Sequence, residues 1–488
     1  MNPSPRLPSE LFLLPLEDGS YLVYAPLRRV ALIANAALVR VLRALQNGSE
    51  IPDAPTEVGA FLRECGILGH GEDRAPRNCR RGTPRPTTAT LLLTNACNLR
   101  CRYCYAAAGE SAPALMPIET ARRAIDFVAA NAVASRAGWF EVDYHGAGEP
   151  TTHWKVLQES HRYAVGVAKS RGLRLRSSLT TNGVLPPAKQ VWIVSHLNSA
   201  NVSYDGLPEV QDRNRLFPSG RGSSDIVLAT LRAFDRAGFR YTIRMTVTAE
   251  AAPRLAQSIA FLCSRFRPRA IQVEPLYRMG RGRDAADAET AVFIEAFRAA
   301  RRTSAKAARL LRFSGARLEL VTSRFCGAAN DNFCVSPAGN ISACHEVADE
   351  GQPWAKRFFY GRPSESGCGY DFDEPVYSRL RAQTVDRLEY CGSCFAKWHC
   401  AGDCFHKALH WDAAEFSGAG RCEVIRALTK DQILEKIAAS GGLCWRGYKE
   451  GEKGGHKGPF SGKGDSAMIA PEMHGTPARS GFGHEKTI

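Results

Sequence analysis

From Thr88 onward the chain repeats one unit: a short apolar, β-like run, a turn, then an amphipathic stretch. The runs are Thr88–Thr94, Phe140–Tyr144, Leu173–Thr180, Ser199–Tyr204, Thr242–Val247 and Ala270–Glu274. The stretch Pro117–Ala134 shows the helical half, with proline in the first turn and Ile118, Ala121, Ile125 and Val128 on one face. Six strand–helix repeats predict an α/β chain whose parallel sheet curls into a partial, TIM-like (β/α)6 barrel. In such folds chemistry gathers at the carboxyl ends of strands, so the residues just after each run are the candidates. Beyond the sixth run, Gly280-Arg281-Gly282-Arg283 reads as a loop near a substrate, and Ala288–Leu311 as helix.

Just after the first run stands Cys97-Asn98-Leu99-Arg100-Cys101-Arg102-Tyr103-Cys104, spaced Cys-x3-Cys-x2-Cys. Three thiolates cover three corners of a cubane iron–sulfur cluster, which ordinarily takes four protein ligands. No fourth cysteine follows at close range, so one iron is left for a ligand that is not protein. The alternatives are a zinc site, although zinc prefers four closed ligands, or core thiols, which need no fixed spacing. The pattern resembles the radical S-adenosylmethionine (SAM) superfamily, in which the open iron chelates the amino and carboxylate groups of SAM. Tyr103 stands at the family's aromatic position before the last cysteine.

Further strand ends carry the same resemblance. Gly146-Ala147-Gly148-Glu149-Pro150 follows the second run and is similar to the family's Gly-Gly-Glu-Pro segment, with Ala147 in place of a glycine. That segment implies backbone contact with the SAM amino group through Gly146, Gly148 and Glu149, and small residues permit the close approach. Ser178-Leu179-Thr180-Thr181-Asn182-Gly183 looks like the ribose-binding segment, with Ser178, Thr180 and Asn182 offering groups suited to a diol. Ser203-Tyr204-Asp205-Gly206 and Asp212-Arg213-Asn214-Arg215 resemble segments of peptide-modifying members, with Gln211 where histidine is frequent. The resemblance implies that Ser203 lies at the SAM site and that Arg215 pairs with the SAM carboxylate as a fork.

A second cysteine constellation begins at Cys326, with Gly339-x4-Cys344 after it, then Cys391-x2-Cys394-x5-Cys400-x3-Cys404, and finally Cys422. This resembles the seven-cysteine SPASM extension of radical SAM enzymes that modify peptides and proteins. The resemblance covers roughly residues 88–425 and implies two auxiliary clusters. Cys326, Cys344 and Cys404 would hold the first, and Cys391, Cys394, Cys400 and Cys422 the second. Cys334 is a candidate fourth ligand of the first, or else a core thiol of a strand over Asn332–Ser336. Soft thiolates suit iron–sulfur clusters or zinc, and a zinc ribbon over Cys391–Cys404 remains open. In sulfatase-maturing relatives an aspartate base follows the cysteine equivalent to Cys344; here His345 and Glu346 follow it.

Ahead of the barrel, residues 1–70 read as a small winged-helix-like α+β domain. Leu11–Leu16 and Tyr21–Ile33 look like strands around Asp18-Gly19. Asn35 can cap a helix carrying Leu38, Val41, Leu42 and Leu45, and a second short helix carries Val58, Phe61 and Leu62. Such units resemble domains that bind leader peptides by strand addition. Residues 71–87 have linker composition, and Cys79 in them has no assigned role. The barrel is expected over 88–320 and the extension over 321–445. From Arg446 to residue 488 no leucine or valine occurs, which reads as a disordered tail in which His456 and His474 are solvated.

Sixteen cysteines in short spacings, with no export signal, point to metal ligands in a reducing compartment, and the location is expected to be cytoplasmic. No apolar run is long enough for a membrane span. A net charge of +15 reads either as an arginine-rich, well-solvated surface or as attraction to an acidic partner such as an acidic peptide, and without a basic stripe interleaved with aromatics nucleic acid is the weaker option. The resemblance implies a maturase that carries three [4Fe-4S] clusters and SAM. It would draw an electron from a flavodoxin or ferredoxin, cleave SAM to a 5′-deoxyadenosyl radical and abstract hydrogen from a ribosomally made precursor peptide. A sulfatase-maturing (formylglycine-forming) enzyme, a small-molecule enzyme and a non-enzymatic electron carrier are the alternatives.

Overall fold

The computed structural model describes residues 6–48, 57–69, 73, 75–76, 82–286, 288–367, 369–409 and 420–447. Cys79, His456, His474 and the glycine-rich segment from 448 onward lie outside them. The first apolar residues form an antiparallel meander of β1 (Phe12–Pro15), β2 (Tyr21–Ala25) and β3 (Val30–Ala34). The run Tyr21–Ile33, expected as one strand, is thus two. Pro26 offers no N–H to a ladder, and Arg29 takes a left-handed φ of 51° while its N–H donates to the Pro26 carbonyl at 3.1 Å, which reverses the chain. Helix Ala36–Gln46 follows, with the Asn35 side chain accepting from the Leu38 N–H. It buries Val39 and Leu42 and leaves Val41 40 % exposed, so the apolar stripe turns away from the expected one at that position. Helix Glu57–Glu64 buries Leu62 and leaves Val58 exposed.

The six runs are strands: β4 (Thr88–Leu92), β5 (Trp139–His145), β6 (Arg174–Thr181), β7 (Ser199–Ser203), β8 (Tyr241–Val247) and β9 (Ala270–Pro275). They pair in parallel in sequence order, as a partial barrel requires. β5, β7 and β8 alternate strictly, whereas β4 and β9 are buried at consecutive positions. On β5, Phe140, Val142 and Tyr144 are buried against the helices, while Glu141, Asp143 and His145 take the opposite, inner face. The helix expected to reach Leu311 ends at Lys306. Ala308 then turns the chain with a φ of 51°, and β10 (Leu310–Arg312) joins β9 in parallel.

Beyond β4 the sheet runs on through the cysteine-rich segment. β11 (Cys334–Val335) pairs in parallel with β4, and β12 (Ile341–Ser342), β13 (Phe359–Pro363) and β14 (Tyr370–Phe372) continue it antiparallel. The extension therefore covers the barrel's open first edge, a position that would otherwise expose unpaired backbone groups.

β15 (Cys444–Arg446) returns to the beginning of the chain and pairs antiparallel with β3, giving the order β1-β2-β3-β15. Arg446, expected to open the tail, is part of this strand. The small sheet is covered twice. Val23, Ala25 and Leu32 face the two N-terminal helices, and Leu22, Tyr24 and Ala31 join a core with Val424, Leu428, Ile433 and Trp445 of the C-terminal segment. Polar contacts add to this: Tyr24 Oη lies 2.5 Å from His399 Nε2, and Glu10 accepts from Trp398 Nε1 and pairs with Lys397. Among the described residues no helix is long and apolar enough to cross a membrane.

A chain ended after Ser440 loses β15 and uncovers the β3 edge. The Ile33 amide, which donates to the Leu443 carbonyl at 3.0 Å, should then exchange with solvent at least about tenfold faster. Hydrogen exchange by mass spectrometry over residues 30–34 measures this, and unchanged protection would show that β15 does not hold the edge.

Candidate functional site

The segment after β4 crosses the carboxyl end of the sheet, and its backbone is fastened on both sides. Gly148 and Glu149 N–H groups donate to the Thr94 and Ala96 carbonyls at 3.0 and 2.8 Å; Arg100 and Arg102 N–H groups donate to Leu216 and Asn214 at 2.6 and 2.9 Å. The Arg100 side chain closes the loop from within, reaching the carbonyls of Cys97, Leu99 and Gly109. The three cysteines are thereby brought near one another. Burial pushes the Cys97 thiol up to about 12 and the Cys101 thiol to about 11, the latter opposed by the Arg215 cation. Such thiols hold their protons until a metal takes the place of the proton. Cys97 Sγ accepts from the Leu99 N–H at 3.4 Å and from Asn182 Nδ2 at 3.7 Å, and Cys104 Sγ from the Ala108 N–H at 3.5 Å. Three thiols on one loop, each with a route to donors or a cation, fit a cubane cluster whose potential is set by hydrogen bonds to sulfur.

Gly146–Glu149 presses directly on this loop. A Cβ on Gly148 would stand 2.1 Å from the Ala96 carbonyl oxygen, so only glycine is accommodated. Glu149 is buried, and its carboxylate accepts from the Thr151 N–H and Oγ1 at 3.2 and 2.7 Å, from Thr181 Oγ1 at 2.9 Å and from the Asn182 N–H at 2.7 Å. Burial raises its pKa and these donors act against the rise. Asn182 in turn donates to Asn98 Oδ1 at 2.7 Å. Ser178 donates to Asp143 at 2.5 Å, and the half-buried Thr180 and Ser203 lie opposite Asn201 and Arg244 in the ladder.

Arg215 is buried, and the carboxylate it holds is that of Asp205, at 3.0 Å. Asp205 also accepts from Tyr103 Oη and from the Thr246 N–H, and the Arg215 guanidinium lies 5.3 Å from the Tyr103 ring centroid. The cluster loop is thus tied through Tyr103 to β7 and β8. Arg215, expected as a fork for the SAM carboxylate, makes this internal pair, and its Nε is buried without a partner. The stretch Gly280-Arg281-Gly282-Arg283, expected as a loop near a substrate, lies against the three-cysteine loop. The Arg281 N–H donates to the Cys104 carbonyl at 3.1 Å, and a Cβ on Gly280 would come within 2.2 Å of that oxygen.

The C-terminal cysteines gather in two groups. Cys391, Cys394, Cys400 and Cys422 interact with one another, as do Cys326, Cys344 and Cys404. Cys400 and Cys404 go to different groups because Ala401, Gly402 and Asp403 between them take left-handed φ values of 55°, 79° and 64°. Arg421 pairs with Asp403, lies 3.7 Å from Glu274 at the end of β9, and stacks on Tyr277 and Phe313. Cys334 is fully buried on β11, among Leu92, Ala348 and Ala147, and its sulfur accepts from Asn332 Nδ2 at 3.3 Å. Glu346 lies beside the Cys326/Cys344/Cys404 group, two residues after Cys344. Its carboxylate accepts from His406 Nδ1 at 3.0 Å and lies 3.8 Å from Lys407 Nζ, and the Lys407 charge and the His406 hydrogen bond hold it well below the usual range against the effect of burial. His345 is kept neutral by burial, with its ring 4.4 Å from that of His145 on the inner face of β5. Tyr105 lies within electrostatic reach of Cys104, Cys344 and Glu346, and donates to the Gly146 carbonyl at 3.2 Å.

The family model described as "Radical SAM superfamily" matches residues 91–250, the stretch that holds the three-cysteine loop and β4 to β8. The chain carries a radical SAM domain. The sporulation killing factor maturation protein SkfB of Bacillus subtilis (strain 168) is 27 % identical over 176 residues, 36 % of this chain and 39 % of that protein. The uncharacterized protein MJ0907 of Methanocaldococcus jannaschii is 25 % identical over 173 residues, 35 % of this chain and 57 % of that protein. The chain thus spans well under two thirds of the length of these curated relatives. Among solved structures, native anSMEcpe with bound AdoMet aligns with a TM-score of 0.56 at 14 % identity, covering 72 % of this chain and 99 % of that one. The same protein with bound AdoMet and Cp18Cys peptide aligns with a TM-score of 0.55. At that identity the likeness is one of fold.

Asp205→Ala leaves the Arg215 guanidinium buried without its counter-charge, which costs about 3–5 kcal/mol. In urea denaturation the single substitutions Asp205→Ala and Arg215→Ala should each lower the midpoint, and the double substitution should cost less than their sum. Strict additivity would show that the two do not act as a pair.

Proposed function

We propose that this chain is a radical SAM maturase with a SPASM-type extension, acting on a ribosomally made peptide. The observation that carries the reading is Tyr105, which follows Cys104 in the three-cysteine loop and lies within electrostatic reach of Cys344 and Glu346. A substrate radical formed near that loop would lie close to a second redox centre. Cys97, Cys101 and Cys104 would hold one [4Fe-4S] cluster, and the two C-terminal groups would hold one auxiliary cluster each. When bound, the first cluster and SAM supply an electron and a 5′-deoxyadenosyl radical that takes hydrogen from a substrate carbon. The chain's own residues bind and orient. The backbone of Gly146 to Glu149 would meet the SAM amino group, the hydroxyls of Ser178, Thr180 and Ser203 suit the ribose, and Asn182 supports Cys97. Arg215 positions the loop through Asp205 and Tyr103, with its Nε left for a ligand oxygen. A flavodoxin or ferredoxin would deliver the electron.

A peptide substrate agrees with the maturation role named for SkfB and with the peptide bound to anSMEcpe. Residues 1–70 are the proposed leader-binding unit. Since β15 occupies the edge of β3, strand addition would use the outer edge of β1. Sulfatase maturation is the second reading. Where those relatives carry a carboxylate, this chain places the His345 imidazole against His145, which changes both reach and charge. A bare electron carrier would need neither the glycine segment pressed on the cluster loop nor the row of hydroxyls.

Anaerobically reconstituted protein should bind about twelve irons per chain, from three four-iron clusters, and cleave SAM reductively to methionine and 5′-deoxyadenosine. Under the same conditions the nearby-encoded precursor peptide should change mass, while a cysteine-containing sulfatase-type peptide should not. Formylglycine on the second with no change in the first would replace the proposed function by the second reading. Iron without SAM cleavage would leave only a carrier.

A further inference from the structure

We propose that the first auxiliary cluster takes the Glu346 carboxylate as its fourth protein ligand, an inference that rests on Cys326, Cys344 and Cys404 holding a cluster. Three cysteines leave that group one donor short. Cys344 Sγ, a Glu346 carboxylate oxygen and a His406 ring nitrogen all lie within 4.8 Å of one another. Of these two added donors, His406 uses Nδ1 toward Glu346, at 3.0 Å, in the manner of a group that orients a ligand rather than one that binds directly. Lys407 approaches the other oxygen and lies over the Tyr277 ring, so the carboxylate is braced from one side. A carboxylate beside three thiolates supplies the same total ligand charge as four thiolates, and carboxylate oxygen is an established donor to iron.

Cys334 is the competing candidate, and its placement argues against it. It pairs with Thr90 of β4 and Ser342 of β12, so its backbone is held by a strand on each side. Its sulfur lies in a small apolar cluster, accepts from Asn332 Nδ2 and is within electrostatic reach of Cys326. Any shift of this residue would strain the junction between barrel and extension. Glu346 carries no such strand constraint. It sits two residues after Cys344 in the turn that follows β12.

The test uses the full chain with Cys97, Cys101 and Cys104 replaced by alanine, which removes the SAM-binding cluster. After anaerobic reconstitution this protein should hold about eight irons. Made with carboxylate-13C glutamate and reduced with dithionite, it should show a 13C hyperfine coupling in electron–nuclear double resonance. That coupling should vanish in Glu346→Ala and Glu346→Gln with the iron content kept near eight, and Cys334→Ser should leave it unchanged. Should the two Glu346 variants fail to assemble, Glu346→Cys, which restores a fourth thiolate, should keep all the iron and abolish the coupling. Eight irons with no 13C coupling, a 15N coupling from labelled histidine in its place, or a spectrum altered by Cys334→Ser alone would each overturn the assignment. About four irons in the parent protein would instead remove the first auxiliary cluster itself.

Discussion

One buried carboxylate organises the carboxyl end of the barrel. Glu149 collects four donors from Thr151, Thr181 and Asn182, while its own N–H is given to Ala96 of the cysteine loop. It therefore joins the end of β5, the end of β6 and the loop after β4 at a single point. A buried anion is costly unless every oxygen is satisfied, and here hydrogen bonds to the charged form counter the desolvation. The chain reaches Cys97 from this clamp in one further step, since Asn182 contacts both Glu149 and the Cys97 sulfur. The glycines on either side serve the same end: they let two backbones touch where any side chain would separate them.

The barrel was legible because its signal is local. A short apolar run followed by an amphipathic stretch is written within a few neighbouring residues, and all six runs were read within a few residues of their bounds. What could not be read depends on distant partners. β10 is three residues long and becomes a strand only because β9 offers an edge. β15 likewise exists by pairing with β3, more than four hundred residues earlier in a chain of 488. One clue was available. Leu22-Val23-Tyr24 and Val30-Ala31-Leu32 are apolar on both faces, and a sheet with one covered face would alternate. Two covers were needed, and the second comes from the C-terminal segment.

The site divides along the same line. The two cysteine groups that the resemblance implied are brought together by the fold from positions as far apart as Cys326 and Cys404. Pairings between side chains were harder. Arg215 read as a ligand fork, yet its nearest carboxylate is Asp205, ten positions earlier. Both residues stood in the quoted segments, and the short sequence interval between an acid and a base at one strand end was the available sign. Tyr105 gave no sign at all, since a tyrosine beside a cysteine is commonplace.

The left-handed stretch between Cys400 and Cys404 joins these observations. A helical continuation would put residues four apart on one face, and both sulfurs would then serve one centre. Ala401 and Asp403 instead adopt a conformation that costs non-glycine residues of order 1 kcal/mol or more each. The Asp403 side chain offsets that cost by pairing with Arg421, which the end of β9 also contacts through Glu274. Because Arg421 precedes Cys422, and Asp403 precedes Cys404, one ion pair sets the spacing between the two cysteine groups and anchors both to the barrel. The strain and the buried pair are two parts of one device that holds the two cysteine groups apart.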